Sequence, residues 1–163
     1  AYELMPSLVG SEMCIRDSDL EAVLDLWQEM MDYHARLDKR FQPAADGRVH
    51  FRQAVQEWML DDLWRVLVAV DGDEVVGYII GHLADNPPVF ETRHYGFISD
   101  ICVATDWRRS GVGRQLFAAI RDWFRRHGIT VIQLNVAALN PVSRAFWRKM
   151  GFQDYLNRMW LEI

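Results

Sequence analysis

The chain has 163 residues, of which half are hydrophobic and a quarter are charged, and its formal net charge is −5 at pH 7. This size and composition predict one globular domain with its own core. The acidic balance argues against a nucleic-acid-binding domain, which normally presents a basic face. The sequence has no apolar run of membrane-spanning length and no secretory leader pattern, so we expect a soluble, cytoplasmic protein. Cys14 and Cys102 lack the paired spacing of a zinc site or disulfide framework, which fits a reducing compartment.

The N-terminal end differs from the rest of the chain. Residues 1–12 show no clear hydrophobic period, and residues 5–18 resemble translated adapter sequence of a kind found at the ends of environmental DNA reads. We therefore treat residues 1–13 as a segment of uncertain origin that is suspected to be non-native. One domain is predicted over residues 14–163.

Two helices and a hairpin are predicted next. Ser18 and Glu21 form a capping box at the start of the first helix. The apolar stripes at helical spacing are Leu20, Val23, Leu24, Trp27, Met30 and Met31 in the first helix and Phe51, Val55, Trp58 and Met59 in the second. Residues 66–70 and 74–83 are β-rich runs joined by Asp71-Gly72-Asp73, which indicates an antiparallel hairpin.

The second half alternates strands and helices. Residues 95–103 predict a strand, and a helical stripe from Leu116 ends at Gly128. Residues 131–136 predict another strand, and Asn140-Pro141 is typical of a helix N-cap followed by proline at the first helical position. The apolar residues 159–163 predict a last strand, whose exposed edge would favour a homodimer. The fold class is therefore α/β (α+β), with a mixed, mostly antiparallel central sheet flanked by helices.

The segment between the strand at 95–103 and the following helix has an anion-binding composition. It reads Asp106-Trp107-Arg108-Arg109-Ser110-Gly111-Val112-Gly113-Arg114. Glycines allow a tight turn that gathers backbone N–H groups, and a helix N-terminus adds partial positive charge. A plain turn with solvated arginines is the alternative interpretation.

Two other phosphate loops fit poorly. A P-loop needs Gly-Lys followed by Ser or Thr, whereas Gly113 is followed by Arg114 and Gln115. A dinucleotide-binding fold would place a third glycine at Leu116 and an acidic residue about twenty positions after the loop, where residues 131–135 offer none.

The motif Arg108-x-x-Gly111-x-Gly113, preceded by Ile101-Cys102-Val103, resembles that of the GNAT superfamily of N-acetyltransferases. A second motif supports the resemblance: Leu134-Asn135-Val136, then Asn140, then Ala145-Phe146-Trp147-Arg148-Lys149-Met150-Gly151-Phe152. The similarity runs from about residue 15 to residue 163 and implies a single GNAT-type domain with a strand–loop–helix site for acetyl-coenzyme A (acetyl-CoA).

The resemblance also implies site residues. Backbone N–H groups of residues 109–114 would hold the coenzyme A pyrophosphate, and the strand edge at 101–103 would pair with pantetheine. The full coenzyme-binding set is Ile101, Cys102, Val103, Arg108, Arg109, Ser110, Gly111, Val112, Gly113, Arg114, Asn135, Asn140, Ser143 and Phe146. Of these, Asn140, Ser143 and Phe146 would line the thiol end.

Acetyl transfer needs a neutral amine, and a lysine-like amine is neutral in only about one molecule per few thousand at pH 7. A carboxylate or a water chain could take its proton. Asp100 is a candidate base by position, although a structural carboxylate is an equal alternative; Glu91, His94 and Tyr95 are further candidates. Cys102 is interpreted as a small buried apolar residue rather than a nucleophile.

By family analogy, the backbone N–H of Val103 would stabilise the oxyanion, and a tyrosine would protonate the leaving thiolate. This chain has Trp147 at that position, interpreted as a packing residue, so Ser143, Tyr155 or water would substitute. Trp27 and Trp58 could flank the acceptor.

The five histidines show no metal-binding spacing, and no metal is predicted. The expected function is therefore acetyl transfer from acetyl-CoA to a primary amine by direct attack in a ternary complex. The alternatives are a non-catalytic acyl-CoA sensor and an interaction protein that retains the fold.

Overall fold

The computed structural model describes residues 7–9 and 17–163, and from residue 17 to residue 149 its helices and strands follow the predicted order. The strands are β1 (Ser7–Val9), β2 (Trp64–Asp71), β3 (Glu74–Asp85), β4 (His94–Val103) and β5 (Ile132–Leu134). The helices are α1 (Asp17–Leu37), α2 (Gly47–Trp58), α3 (Val112–Arg126) and α4 (Pro141–Lys149). Short 3-10 helices lie at Lys39–Phe41 and Thr105–Trp107. No helix in the described ranges is both long and apolar enough to cross a membrane.

The strands form one sheet in the order β1-β2-β3-β4-β5. All neighbours are antiparallel except β4 and β5, which are parallel. The predicted mixed, mostly antiparallel sheet is therefore confirmed. Strand β1 was not predicted, and it lies within the N-terminal segment of uncertain origin.

Helices cover both faces of the sheet. On one face, α1 and α2 bury Val23, Leu24 and Val55 against Tyr78 and Ile80. On the other face, α3 packs its apolar stripe against alternate residues of β2 and β3, including Ala69, Val76 and Ile79. Because side chains alternate along a strand, the same strands supply both cores. Helix α1 begins at Asp17, so Ser18 lies inside the helix rather than at the predicted N-cap.

Two glycines let α3 approach the sheet closely. A Cβ atom on Gly96 would lie 2.6 Å from the ring of Phe124, and one on Gly81 would lie 2.9 Å from the same ring. Between these strands, a register shift at Ile80/Gly81 makes a β-bulge opposite Ser99 and Asp100. Bulges of this kind re-aim side chains near functional sites.

The predicted last strand is wrong. Residues 152–163 have no regular secondary structure, and Met159, Trp160 and Leu161 are exposed. The preceding strand is also shorter than predicted, since β5 covers Ile132–Leu134 instead of 131–136. An alternating apolar pattern becomes a strand only where another strand offers its N–H and C=O groups, and in this structure no strand takes up that end of the chain.

Candidate coenzyme site

The candidate site lies where β4 extends beyond its parallel neighbour β5. Strand β5 pairs with Gly96, Phe97 and Ile98 only, whereas β4 continues to Val103. The edge of β4 at residues 99–103 is therefore not covered by β5, which ends at Leu134. The space beside this open edge is called the cleft below.

The backbone of Val103 faces this cleft. The N–H of Ala104 donates to the Val76 carbonyl at 2.9 Å, and Val103 is opposite Gly77. Because hydrogen-bonded and non-hydrogen-bonded pairs alternate in an antiparallel ladder, the N–H and C=O of Val103 point away from β3. The same alternation turns the N–H and C=O of Ile101 toward the cleft.

Cys102 faces the other way. Alternation directs its backbone groups at Tyr78 of β3, and its thiol donates to the carbonyl of Leu26 on α1 at 3.4 Å. Burial, with the nearby Glu29 carboxylate, raises the pKa of the Cys102 thiol to about 12. These contacts agree with a small buried residue rather than a nucleophile, and the place of Cys102 in the coenzyme set that the resemblance implied stays a prediction.

The loop after β4 turns sharply into α3. Gly111 is the N-cap residue with φ 98°, a left-handed conformation that favours glycine, and Arg109 also has positive φ, 65°. The first bond of the helix runs from the Gln115 N–H to the Gly111 carbonyl. The N–H groups of residues 112–114 therefore have no intrahelical acceptor and carry the positive end of the helix dipole.

The helix start, the β4 end and α4 meet at Gly113. A Cβ atom on Gly113 would lie 3.3 Å from the ring of Phe146 and 3.8 Å from Val103. The structure thus brings together three residues that the two sequence motifs supplied separately. Glycine at this position keeps the backbone of the first helical turn unobstructed.

Asn140 lies at the start of α4 and is buried, with 5% exposure. Its Oδ1 accepts the N–H of Ser143 at 3.0 Å, which confirms the predicted N-cap. Its Nδ2 lies 3.0 Å from Nε2 of His34 on α1. Asn135 is exposed directly after β5, and Ser143 and Phe146 are partly buried in α4.

The guanidinium of Arg108 does not lie along the loop. Its Nε donates to the Val103 carbonyl at 3.1 Å, and an Nη donates to Glu29 of α1 at 2.8 Å. Glu29 also accepts from the Thr105 hydroxyl at 2.6 Å. Arg108 therefore ties the end of β4 to α1, while Arg109, Ser110 and Arg114 are exposed.

Asp100 lies on the face of the sheet covered by α1 and α2, beside the bulge. Asp100 is partly buried, and this burial raises the pKa of its carboxyl to about 6. Nearby, the hydroxyl of Tyr78 is buried, and burial with the Asp100 charge raises the pKa of Tyr78 well above its usual value. Titratable groups in such surroundings are typical of functional sites.

The other base candidates are distant. His94 begins β4 while Val103 ends it, and its Nδ1 lies 2.6 Å from exposed Asp85. A strand rises about 3.3 Å per residue, so some 30 Å separate the two ends of β4. Glu91 and Tyr95 lie at the His94 end as well.

The tryptophans are packing residues. Trp147 is 5% exposed and makes edge-to-face contacts with Phe117 and Phe152. Trp27 is buried and stacks on Phe51 at 4.6 Å, so only the partly buried Trp58 remains a candidate for the acceptor wall.

Two contacts of the site had no sequence signal. His34 lies 106 residues before Asn140, and Glu29 lies 79 residues before Arg108. Both are polar residues on an amphipathic helix, where solvent exposure is the ordinary expectation.

Within the described part of the chain, no group of three or more His, Cys, Asp or Glu side chains could hold a metal ion. The fold and the loop geometry define a class of protein: a mixed sheet with a strand–loop–helix unit beside the open edge of β4, whose free backbone N–H groups suit an anionic ligand.

Comparison with known proteins identifies the family. A profile of the acetyltransferase (GNAT) family matches residues 23–152, and the chain belongs to this family. An aminoglycoside N(6')-acetyltransferase type 1 from Acinetobacter haemolyticus is 34% identical over 64 residues, which is 39% of this chain and 44% of that protein. The chain thus matches less than half the length of this curated relative.

Solved structures show the same fold. A tetramutant of the BH1408 protein from Bacillus halodurans has a TM-score of 0.77 and 27% identity, over 90% of this chain and 95% of that one. The aminoglycoside antibiotic 6'-N-acetyltransferase AAC(6')-IG from Acinetobacter haemolyticus has a TM-score of 0.74 and 18% identity, over 96% and 97% of the two chains. The predicted GNAT-type domain is confirmed.

Proposed function

We propose that the protein transfers acetyl from acetyl-CoA to a primary amine by direct attack in a ternary complex. The observation that carries this proposal is the meeting of Val103, Gly113 and Phe146 at the open edge of β4. Backbone N–H groups without helix or strand partners, from the start of α3 and the edge of β4, lie there. The helix that carries Phe146 begins at the buried Asn140.

The residues present fit coenzyme A. The cradle before α3 is open because Gly111 and Gly113 have no side chains, and a Cβ at Gly113 would crowd Phe146. Backbone N–H groups of residues 109–114 would hold the pyrophosphate. Ile101 and Val103 would pair with pantetheine through their outward backbone groups, and Asn140, Ser143 and Phe146 would line the thiol end.

Asp100 would act as the general base, directly or through water. The amine nitrogen forms a bond to the thioester carbonyl carbon, the carbon–sulfur bond breaks, and the amine proton passes to the carboxylate. With a pKa of about 6, Asp100 is ionised at neutral pH yet is a stronger base than an exposed aspartate.

The backbone N–H of Val103 would stabilise the oxyanion that develops during attack. The departing thiolate would take its proton from Ser143 or from water. Trp147 has no acidic proton of the required kind and is buried among aromatic rings. Because a thiol has a pKa of about 8.5, the thiolate can leave without a side chain positioned to protonate it.

The acceptor is proposed to be a small polyamine of the aminoglycoside type. The relative that shares 34% identity over part of the chain carries that activity in its name. A structure of AAC(6')-Iy in complex with a bisubstrate analogue of coenzyme A and acetylneamine shares the fold, with a TM-score of 0.70. The net charge of −5 suits a cationic ligand.

The test combines calorimetry of acetyl-CoA with thiol release in an amine panel that contains aminoglycosides, amino acids and peptide N-termini. Saturable coenzyme binding and thiol release with an amine are expected. Coenzyme binding without thiol release for any acceptor would favour the acyl-CoA sensor, which the absence of a tyrosine at Trp147 makes a specific rival. Absence of coenzyme binding would favour the interaction protein and contradict our proposal.

A homodimer is proposed as the assembly. The segment after Phe152 exposes Tyr155, Leu156, Met159, Trp160, Leu161 and Ile163. An apolar surface of this kind is usually covered by a partner. Light scattering should give twice the monomer mass, and a monomer at micromolar concentration would remove the proposal. A cytoplasmic location stays a prediction.

A further inference from the structure

The contact between His34 and Asn140 determines the protonation state of the histidine. The backbone N–H of Ser143 can only donate, so the atom of Asn140 that it contacts at 3.0 Å must be the amide oxygen. The other end of the amide, Nδ2, is therefore the atom that lies 3.0 Å from Nε2 of His34.

An amide nitrogen donates and does not accept. Nε2 of His34 must then carry a lone pair, which places the ring proton on Nδ1 and leaves the imidazole neutral. Burial favours the same state, since it lowers the pKa of His34 below its usual value.

Few charged groups face this histidine. On α1 its neighbour is Tyr33, and on the adjoining 3-10 helix its ring lies 5.4 Å from that of Phe41. The carboxylate of Asp38 in this segment is occupied by Arg40, and the first turn of α4 carries no acidic residue. Burial is the cause of the lowered pKa, with no contribution from a neighbouring charge.

Helix α1 contacts both walls of the coenzyme cleft. Glu29 binds Thr105 and Arg108 after β4, and His34 binds Asn140 before α4. Five residues along a helix span about 7.5 Å and turn by about 140°, so different faces of α1 contact the two walls. The position of Asn140 is therefore set from α1 as well as from its own helix.

We propose that neutral His34 is a positioning residue for coenzyme binding, holding the Asn140 amide so that its second Nδ2 hydrogen is presented to a carbonyl of the pantetheine arm. This role rests on the proposed function. Protonation of His34 puts a hydrogen on Nε2, which then faces the Nδ2 hydrogens of Asn140. The hydrogen bond between the two side chains is lost, and His34 no longer holds the amide. Coenzyme affinity then falls as pH decreases through the pKa of His34.

The experiment measures the dissociation constant of acetyl-CoA by calorimetry from pH 5.5 to pH 8 for wild type, His34→Gln and His34→Ala. Glutamine offers an acceptor oxygen that does not titrate. The phosphate monoester of the coenzyme itself titrates near about pH 6, so the readout is the ratio of variant to wild type at each pH. His50→Gln is the matched control, because His50 is exposed on α2 and its nearest ionic partner is Asp46.

We expect wild type to weaken relative to His34→Gln as pH decreases from 8 to 5.5, through loss of one hydrogen bond. The change should be less than about tenfold, because the lowered pKa leaves part of His34 neutral at pH 5.5. His34→Ala should bind about 5- to 10-fold more weakly than wild type at pH 8, and His50→Gln should follow wild type. Ratios that stay constant with pH, together with wild-type affinity in His34→Ala, would overturn the proposal.

A second measurement needs no coenzyme. Nitrogen-15 shifts of the His34 ring in the free protein should show a protonated Nδ1 and an unprotonated Nε2 at pH 7.5. A ring protonated at Nε2 would refute the assignment even if coenzyme binds. If wild type binds no coenzyme while the Nδ1–H tautomer is present, the proposed function fails and the His34–Asn140 contact stands as a structural one.

Discussion

The two faces of the central sheet contribute different kinds of groups to the candidate site. On the α3 face, the groups are backbone atoms at Val103 and at residues 109–114, and their geometry depends on glycines. On the α1 and α2 face, they are side chains whose ionisation is changed by burial, His34 and Asp100. Backbone N–H groups do not titrate, whereas these side chains do. The contribution of the loop to coenzyme binding should therefore not depend on pH, while the contributions of His34 to binding and of Asp100 to proton transfer should.

The largest effect on coenzyme affinity is expected from Gly111→Glu, at the N-cap of α3. The substitution forces a side chain into a conformation with φ 98° and puts a negative charge where the pyrophosphate would bind. Calorimetry should show a loss of acetyl-CoA affinity of about 100-fold or more. Gly72→Glu is the matched control, because Gly72 also has positive φ, 59°, but lies at the hairpin tip. Equal coenzyme affinity in the two variants would remove the loop from the site.

Asp100→Asn tests the proposed general base on the face of the sheet that α1 and α2 cover. Loss of the base should reduce kcat by about 100-fold at pH 7.5 and remove the rise of kcat through pH 6. The free energy of unfolding of this variant should increase while its activity falls. The folded-state pKa of Asp100 is raised, so its contribution to stability is present below the unfolded pKa and is lost as pH rises through about 6.

Asparagine removes that penalty. We expect the free energy of unfolding at pH 7.5 to increase by about 1–3 kcal/mol in thermal or urea melts. Asp73→Asn, at the exposed hairpin turn, should change neither property. A less stable Asp100→Asn protein with full activity would make Asp100 a structural carboxylate.

Arg108→Ala tests the connection between the two faces, because the Arg108 guanidinium links Val103 to Glu29. Removing it should raise KM for acetyl-CoA by about 3- to 10-fold through loss of a hydrogen bond at the end of β4, with a smaller effect on kcat. Arg126→Ala, at the far end of α3, controls for the loss of a positive charge. A KM that changes equally in both variants would indicate long-range attraction of the coenzyme instead.

The smallest effect is expected for Tyr155→Phe. Tyr155 is 73% exposed on the segment after α4, so its hydroxyl is not positioned as an acid for the thiolate. Steady-state kcat should remain within about twofold of wild type across pH 6–9. A loss of kcat at high pH would instead show that the C-terminal segment folds over the site during turnover.

The predictions from sequence were accurate where local rules apply. Helical periodicity located α1, α2 and α3, the Asp-Gly turn located the β2–β3 hairpin, and Asn140-Pro141 located the start of α4. The family motif located the loop before Gly111. The prediction of a last strand was wrong because strand formation depends on an available partner strand, and β5 is shorter than predicted for the same reason.

The amino-acid sequence by itself determined the order of elements from α1 to α4, the glycine-bearing loop and the family, because these depend on residues close together in the chain. Tertiary structure alone decided that Cys102 faces α1, that Arg108 binds Glu29, and that His34 meets Asn140. It also decided the raised pKa of Asp100, since burial depends on every element packed around a group. Hydrogen bonds across about a hundred residues and removal of water have no local pattern, so only the folded chain shows them.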